Sequence, residues 1–598
     1  MNETNTLEKT SLLHNWLFWL LLITGIAIII RSIPAWTNAA WGVDFGIYYG
    51  LTNSFVETKT FILPYDGWGS TYQYFPVLYA ITGTLHWITD IGTLELLPKI
   101  APIFGGLTIP IFYFISYEIL KDKKTALLAS SILAVAVLHV YQTSHAAPLT
   151  IGHFFMMLSF YFFIRFQKKP VFTIPLAVST ILLIFSHHFT TYFYIICITF
   201  ICLAIASKRK KMDQKSLRVL SYVVFVSAAA FSYWYFIATP VYQSFMAGNS
   251  NLPSLTVVIL YYSLLFSAFF ILSKYNPFKH LQNIKLRFLD MDKYKKILLG
   301  MIVSLCLLTI VYFTGIPGVH ERFTLLSILY SLPMVVFISF SYAGLSKLQK
   351  SANGYLVNAW IIALLISLIY SLTSTKLLPN RHFEYLIIPL CIPAALTLKS
   401  IIDDHPIRRL KHQTVFTIKH THTSESNPRH KRNILVMMCI VFLFVANIMS
   451  SYPAVDSLNF FDERVSDPCV NMLEWMDGNV SNTSVIASDH RIENLIWAEG
   501  FGISYGCTNN TWIAENLTDY VDELITYNVT HIIIDDIMRN NVVNFIVGKY
   551  YYMTNESYDK FKNPPFELIY RNATYNNQDE EIHWIELYKF DRNGFTLD

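Results

Sequence analysis

Charge is what this sequence has least of. Only 14% of its 598 residues are Asp, Glu, Lys or Arg, against 53% hydrophobic residues. A soluble chain of this length would divide into several domains, each with a charged surface, so that class is excluded. The formal net charge of +4 is segregated by loop and gives no sign of a nucleic-acid partner. Cysteine is also scarce, with seven in the chain. Cys197, Cys202, Cys306, Cys391 and Cys439 fall in apolar runs and read as packing residues. Cys469 and Cys507 lie in the polar tail, and a disulfide between them is expected if that tail is outside the cell. No internal repeat is evident. The tail has no nucleophile elbow, phosphate loop or zinc-spacing cluster, which removes the readings that rest on those motifs. No small-residue cleavage site follows the first apolar run, which ends at Ile30 and Arg31, so a retained anchor is expected.

What the chain has in quantity is long apolar runs. Runs of membrane-crossing length fall near 13–33, 97–119, 125–141, 149–165, 171–187, 189–206, 218–238, 255–273, 296–314, 323–343, 355–373, 383–399 and 434–451. They predict a polytopic α-helical membrane protein of about thirteen transmembrane helices. Tyr72 to Ile91 is apolar enough to cross, but Pro76, Gly83, His86 and Asp90 make it a poor lipid-facing helix. A juxtamembrane helix over 72–91 is expected instead, within a first external loop 34–96. Every second loop is then basic: Lys121 to Lys124, Arg165 to Lys169, Lys208 to Lys211, Lys274 to Lys296, Lys347 with Lys350, and Lys399 to Arg432. The positive-inside rule makes those loops cytoplasmic. The expected topology is a multi-pass plasma-membrane protein with a cytoplasmic N-terminus and an extracellular C-terminal domain. The cytoplasmic loop contains His405, His412, His420, His422 and His430, read as a solvated basic stretch near anionic headgroups.

The membrane part is expected over 1–452 and a soluble α/β domain over 453–598. SVIASDH and THIIIDD read as short strands ending in acids, IHWIELYKF as a third strand, and TDYVDELITYN as a helix leading into the second. Asp489, His490 and Arg491 follow a strand directly, where α/β folds often bind ligands. N-glycosylation sequons begin at Asn479, Asn482, Asn509, Asn516, Asn528, Asn555 and Asn572, and the only other one begins at Asn2. Their concentration in the tail agrees with an external, glycosylated domain.

Polar residues at the outer boundary carry the chemistry, because ionisable groups there are costly unless they line a watery cavity. WGVDFGIYYG holds Asp44, YQTSHAAPLT holds His145, and SHHFTTYFY holds His187 and His188. GIPGVHERF holds His320, Glu321 and Arg322, and TKLLPNRHFEY holds Lys376, Arg381, His382 and Glu384. One carboxylate facing several histidines and arginines suits an anionic substrate, and arginine matches phosphate bidentately. Asp44 could equally cap a short helix, and the arginines could snorkel to headgroups.

Together these residues resemble the GT-C superfamily of polyprenyl-phosphate-sugar-dependent glycosyltransferases. Asp44 matches the acid after the first span, and YQYFPVLYAITGTLHW resembles the juxtamembrane helix of the protein-mannosyltransferase and aminoarabinose-transferase branches. KIAPIFGGLTIPIFYFISYEILKDKKTALLAS looks like their next two spans, and Arg381 resembles their lipid-phosphate ligand. The plan also resembles that of the oligosaccharyltransferase catalytic subunit. Departures from that subunit are the absent WWDYG, echoed only vaguely by WAEGFGISYG, and a first loop without DxD. YQTSHAAPLT also lacks an acid where the subunit has its second acidic motif.

The resemblance implies transfer of a sugar from a polyprenyl (dolichyl) phosphate to an external protein, glycan or lipid acceptor, with inversion at the anomeric carbon. In that reading Asp44 is the catalytic base, and Arg381, Arg322 and Lys376 hold the donor phosphate. His145, His187, His188, His320, Glu321 and Glu384 line the site or hold a divalent metal such as Mg or Mn. The style of the tail suggests an archaeal cell-surface enzyme. The alternatives are an oligosaccharyltransferase-like enzyme, a lipid-linked-sugar transporter, or a non-catalytic membrane scaffold.

Overall fold

The computed structural model describes residues 15–592 apart from 66, 247–253, 276–290, 316–324, 373–376, 404–440, 442, 453–461, 505, 507 and 546–548. Among the described residues, the helices before the tail include α1 Trp16–Thr37, α2 Phe45–Thr58, α3 Val77–Thr89, α4 Thr93–Leu120, α5 Lys123–Ala134, α6 Val137–Ser144, α7 Pro148–Phe166, α8 Thr173–Ser186, α9 His188–Arg209, α10 Gln214–Phe236, α11 Thr239–Met246, α12 Ser254–Lys274, α13 Lys293–Thr314, α14 Leu325–Lys350, α15 Gly354–Ser371 and α16 Pro379–Asp403. Among the described residues, ten helices are long and apolar enough to cross a membrane. The apolar stretch Pro170–Ser186 is shorter, and helical residues over 443–451 belong to the last apolar run. Exposed Leu298, Ile302 and Leu307 on α13 are what a lipid-facing surface requires, since lipid replaces a protein core there.

Two details differ from the reading of the apolar runs. The run 125–141 is not one straight span but the pair α5 and α6, bent by 61°. No proline causes the break. Arg31 on α1 donates from Nη1 to Ala134 O (3.0 Å), the carbonyl that a continuous helix would pair with an amide four residues on. The segment 72–91 is a short 3₁₀ turn, Tyr72–Tyr74, followed by α3. At 13 residues α3 is about 20 Å long, too short for the hydrocarbon core, in agreement with a juxtamembrane element.

The tail forms a five-stranded sheet in the order β4-β3-β5-β9-β8, with β3 Val485–Ala487, β4 Gly502–Ile503, β5 His531–Asp535, β8 Phe566–Tyr575 and β9 Glu581–Phe590. β3 runs parallel to β4 and β5, while β9 is antiparallel to β5 and β8. All three strands read from the sequence are present. The sequon residues Asn479, Asn482, Asn516, Asn528 and Asn555 are exposed, and Asn509 and Asn572 are half-buried. Cys469 is a buried free thiol in α17 (Asp467–Asn479), and Cys507, its expected partner, lies outside the described residues. So do the five histidines of the basic loop.

Tail and membrane part are joined at two places. The two-residue strand β1 (Ala40–Trp41) pairs antiparallel with β2 (Arg464–Val465). Alongside, α2 lies in backbone contact with α18 (His490–Ala498). A methyl group at Gly46 would sit 2.4 Å from the Asn494 carbonyl carbon, and one at Gly50 would sit 2.3 Å from the Trp497 ring. This is the small-xxx-small spacing that lets two helices meet at their backbones. Phe45, Ile47 and Leu51 share one buried cluster with Ile492, Leu495 and Ile496.

Gly46→Leu should therefore unseat α18. Overpacking of this kind costs about 1–3 kcal/mol, so amide hydrogen exchange over 490–498 should accelerate by roughly 10- to 100-fold, and Gly92→Leu, which meets nothing within 4 Å, should not change it. Equal exchange in both variants would show that the contact is not made. For orientation, a cysteine at Ser481 should react with an impermeant reagent on intact cells and one at Lys210 should not. Cysteines at Ser70 and Gly92 should label from the same side as Ser481.

Candidate active site

The polar residues picked from separate loops meet where α2, the Tyr72 turn, α6, α16 and the tail converge. Asp44 stands at the N-cap position of α2 but makes no side-chain capping bond. Its carboxylate is used otherwise. Tyr72 donates its hydroxyl to Oδ2 (3.0 Å), and Nε2 of His490 lies 3.2 Å from Oδ1. Burial and the adjacent carboxylate push the Tyr72 phenol well above its ordinary range, so it remains a protonated donor. An ionised carboxylate has about four lone-pair sites, so two contacts leave Asp44 room for an incoming hydroxyl.

His490 comes from the tail. Asp489 caps α18 by accepting from Ile492 N (3.0 Å), which places His490 at the first helical position, facing α2. Trp68 packs edge-on against its ring (4.7 Å), and Asn494 Nδ2 lies 3.2 Å from Nε2. Beneath it Arg491, 1% exposed, donates to Asp535 Oδ2 (2.7 Å) and to the carbonyl of Arg464 (2.9 Å) and lies 3.4 Å from Asp489 Oδ2. β5 ends in Asp535 and Asp489 follows β3 by two residues, and this one guanidinium lies between both. Burial pushes the Asp535 carboxyl up, to about 6, against the pull of Arg491.

Arg381 lies in the first turn of α16, and its side chain is 38% exposed. Nη1 donates to Gln142 Oε1 (2.9 Å), while Glu384, one turn on and buried, stands 3.9 Å away. The charge of Arg381 is felt at both Tyr72 and Glu463.

His145 follows α6. Nδ1 is 2.8 Å from Tyr141 O, which requires a proton on Nδ1. Nε2 faces Glu463 at 2.5 Å and Trp41 Nε1 at 3.0 Å. Glu463 also accepts from Tyr141 (2.7 Å). Burial alone would raise the Glu463 carboxyl, but His145, Tyr141 and Arg381 together outweigh it and hold the group below its ordinary value.

His187 caps α9 through Nδ1, which accepts from Thr190 N (3.3 Å). The ring of His188 packs among Phe75, Phe189 and Phe245. His382 is bonded within its own hairpin, to Ser367 Oγ (2.8 Å) and Leu378 O (3.1 Å). His320, Glu321, Arg322 and Lys376 lie outside the described residues. Among the described residues no three His, Cys, Asp or Glu side chains form a group able to hold a metal ion.

The sequence reading named Asp44, His145 and Arg381 but missed Tyr72, Gln142 and Glu463 as members of the site. The position of Tyr72 three residues before Phe75-Pro76 was the available signal. His490 was noted only as a residue after a strand, and nothing local reveals that it faces a side chain 446 positions away.

No family model matches this sequence, and no curated protein does. Solved structures do match. The archaeal oligosaccharyltransferase AglB from Archaeoglobus fulgidus, in complex with an inhibitory peptide and a dolichol-phosphate, aligns with a TM-score of 0.55 at 16% identity over 87% of this chain and 69% of that one. The same enzyme in the apo form aligns with a TM-score of 0.55 at 15% identity, over 94% and 80%. At this identity the likeness is one of fold, and it meets the resemblance drawn from Asp44, the juxtamembrane helix and Arg381: the chain has a GT-C-like fold.

Proposed function

We propose that this chain is a membrane glycosyltransferase that moves a sugar from a polyprenyl phosphate to an acceptor on the outer side of the membrane. One observation carries the proposal. Within a GT-C-like fold, a carboxylate that accepts from Tyr72 (Asp44) and a part-exposed arginine (Arg381) whose charge is felt at the same phenol are brought to one region of the molecule.

The acceptor hydroxyl gives its proton to Asp44 as its oxygen bonds to the anomeric carbon. The bond from that carbon to the phosphate oxygen breaks on the opposite face, so the configuration inverts. The electron pair leaves on the polyprenyl phosphate, where Arg381 stabilises the developing charge. Tyr72 and His490 hold the carboxylate in place. A small apolar cleft of about 20 Å³ lies deeper in the bundle. It is lined by Val135, Val137, Met334, Phe337, Ile387 and Phe444, and two of the helices bordering it, α6 and α16, carry Gln142 and Arg381. Ile387 lies six residues past Arg381 on α16, about 9 Å deeper by helix rise.

The oligosaccharyltransferase reading is favoured by the AglB structures, one of which holds dolichol-phosphate and another an acceptor peptide tethered by a disulfide. It is disfavoured by the missing WWDYG and DxD motifs. We retain the general reading, with glycosyl transfer at an archaeal cell surface as its setting.

Asp44→Asn should lower turnover by about two to four orders of magnitude, the usual worth of a general base, while leaving donor binding nearly unchanged. His490→Ala should lower it less, by roughly 10- to 100-fold, since it removes one hydrogen bond to a charged group. Arg381→Ala should instead weaken donor-lipid binding by about 1.5–3 kcal/mol. Purified variants assayed for both donor binding and transfer separate the roles. Normal transfer by Asp44→Asn, or unchanged donor affinity in Arg381→Ala, removes the corresponding assignment.

A further inference from the structure

The opposite face of the bundle carries a second polar cavity that glycosyl transfer does not use. It has a volume of about 210 Å³ and lies where α4, α7, α9, α10 and α15 end or begin at the basic loops. α4 joins the two faces over 28 residues, about 42 Å, so this cavity is remote from Asp44.

Its lining is over-supplied with cations. Glu118, 6% exposed, takes Lys121 (2.5 Å), Arg165 (2.6 Å) and Lys168 together. One negative charge thus serves three positive ones. Arg209 is forked onto Asp213, which neutralises it without releasing an acceptor. Lys215 also lines the cavity and forms no ion pair among the described residues. It sits in the first turn of α10, where the helix dipole disfavours a positive charge. Gln167 adds an amide nitrogen that is buried and has no hydrogen-bond partner. An orphaned donor of this kind calls for an absent acceptor. The floor is apolar: Ile164, Leu356 and Gln167 also border a smaller void that continues to Phe160, Phe163 and Trp360.

We propose that this cavity binds a phosphate-bearing anion at the membrane surface. The missing partner must be negative, must offer several acceptor oxygens to Lys168, Lys215 and Gln167 at once, and must fit a pocket with polar walls and an apolar floor. A phosphate group meets all three conditions. Two sources share this chemistry, the headgroup of an anionic phospholipid and free phosphate, and the headgroup suits the apolar floor.

The test uses the full chain purified in detergent, with thermal unfolding followed during titration. Dioctanoyl phosphatidylglycerol should raise the Tm, and dioctanoyl phosphatidylcholine should not. Lys215→Glu should weaken the apparent affinity by about tenfold or more, and the charge-neutral variant Gln167→Leu should weaken it as well. Lys589→Glu, an equal charge change on the exposed tail, should leave it unaltered. A Tm rise with inorganic phosphate at matched ionic strength assigns the site to free phosphate, and a rise with the lipid alone assigns it to the headgroup. Equal shifts with both lipids and none with inorganic phosphate, or wild-type affinity in both Lys215→Glu and Gln167→Leu, overturn the proposal.

Discussion

The backbone contact between α2 and α18 governs everything at the Asp44 face. A helix from the first loop and a helix from the tail approach until Gly46 touches the peptide group of Asn494. At that distance neither can rotate or slide without a clash, so the residues at their N-terminal ends are fixed relative to one another. Those residues are Asp44 and His490. Their 3.2 Å contact follows from packing one turn away more than from the attraction between them. Tyr49, on the same helix, donates to Glu499 at the far end of α18 (2.8 Å) and pins the other end of the pair.

Charge is treated differently at the two layers of this contact. Within the tail, Arg491 is buried among two acids and a carbonyl, an arrangement that is costly to desolvate and damaging to break. It fixes where β3, β5 and β2 end, and so where α18 begins. Above it, Asp44, Arg381 and His145 remain partly exposed, each with a neutral or single-charge neighbour. The inner layer uses its charges up in fixing geometry. The outer layer leaves charge available to a substrate.

The helices and the three tail strands were legible because each has its own periodicity and length, which are local properties. The short helix within 72–91 was legible for the same reason: Pro76 sets its start regardless of context. Asp44 and Arg381 could be picked out because charge is so scarce near the membrane that each instance stands out. Glu463, Tyr72 and His490 lie in polar or aromatic surroundings where nothing marks them. Their membership is decided by contacts spanning 318, 28 and 446 positions. The break between α5 and α6 was hidden likewise, because its cause sits on α1.

That break bears on how the protein is made. Arg31 lies fully buried within an otherwise apolar helix, bonded to Thr143 Oγ1 (2.8 Å), His139 Nδ1 (2.8 Å) and the carbonyls of Ala27 and Ala134. Three of those four partners are encoded more than 100 residues downstream. A lone arginine within a helix costs about 2.5–3.5 kcal/mol at the bilayer centre, and the broken pair that offsets it has not been synthesised when α1 emerges. The first helix therefore has reason to linger at the insertion machinery, or with its arginine drawn toward an interface, until α5 and α6 arrive.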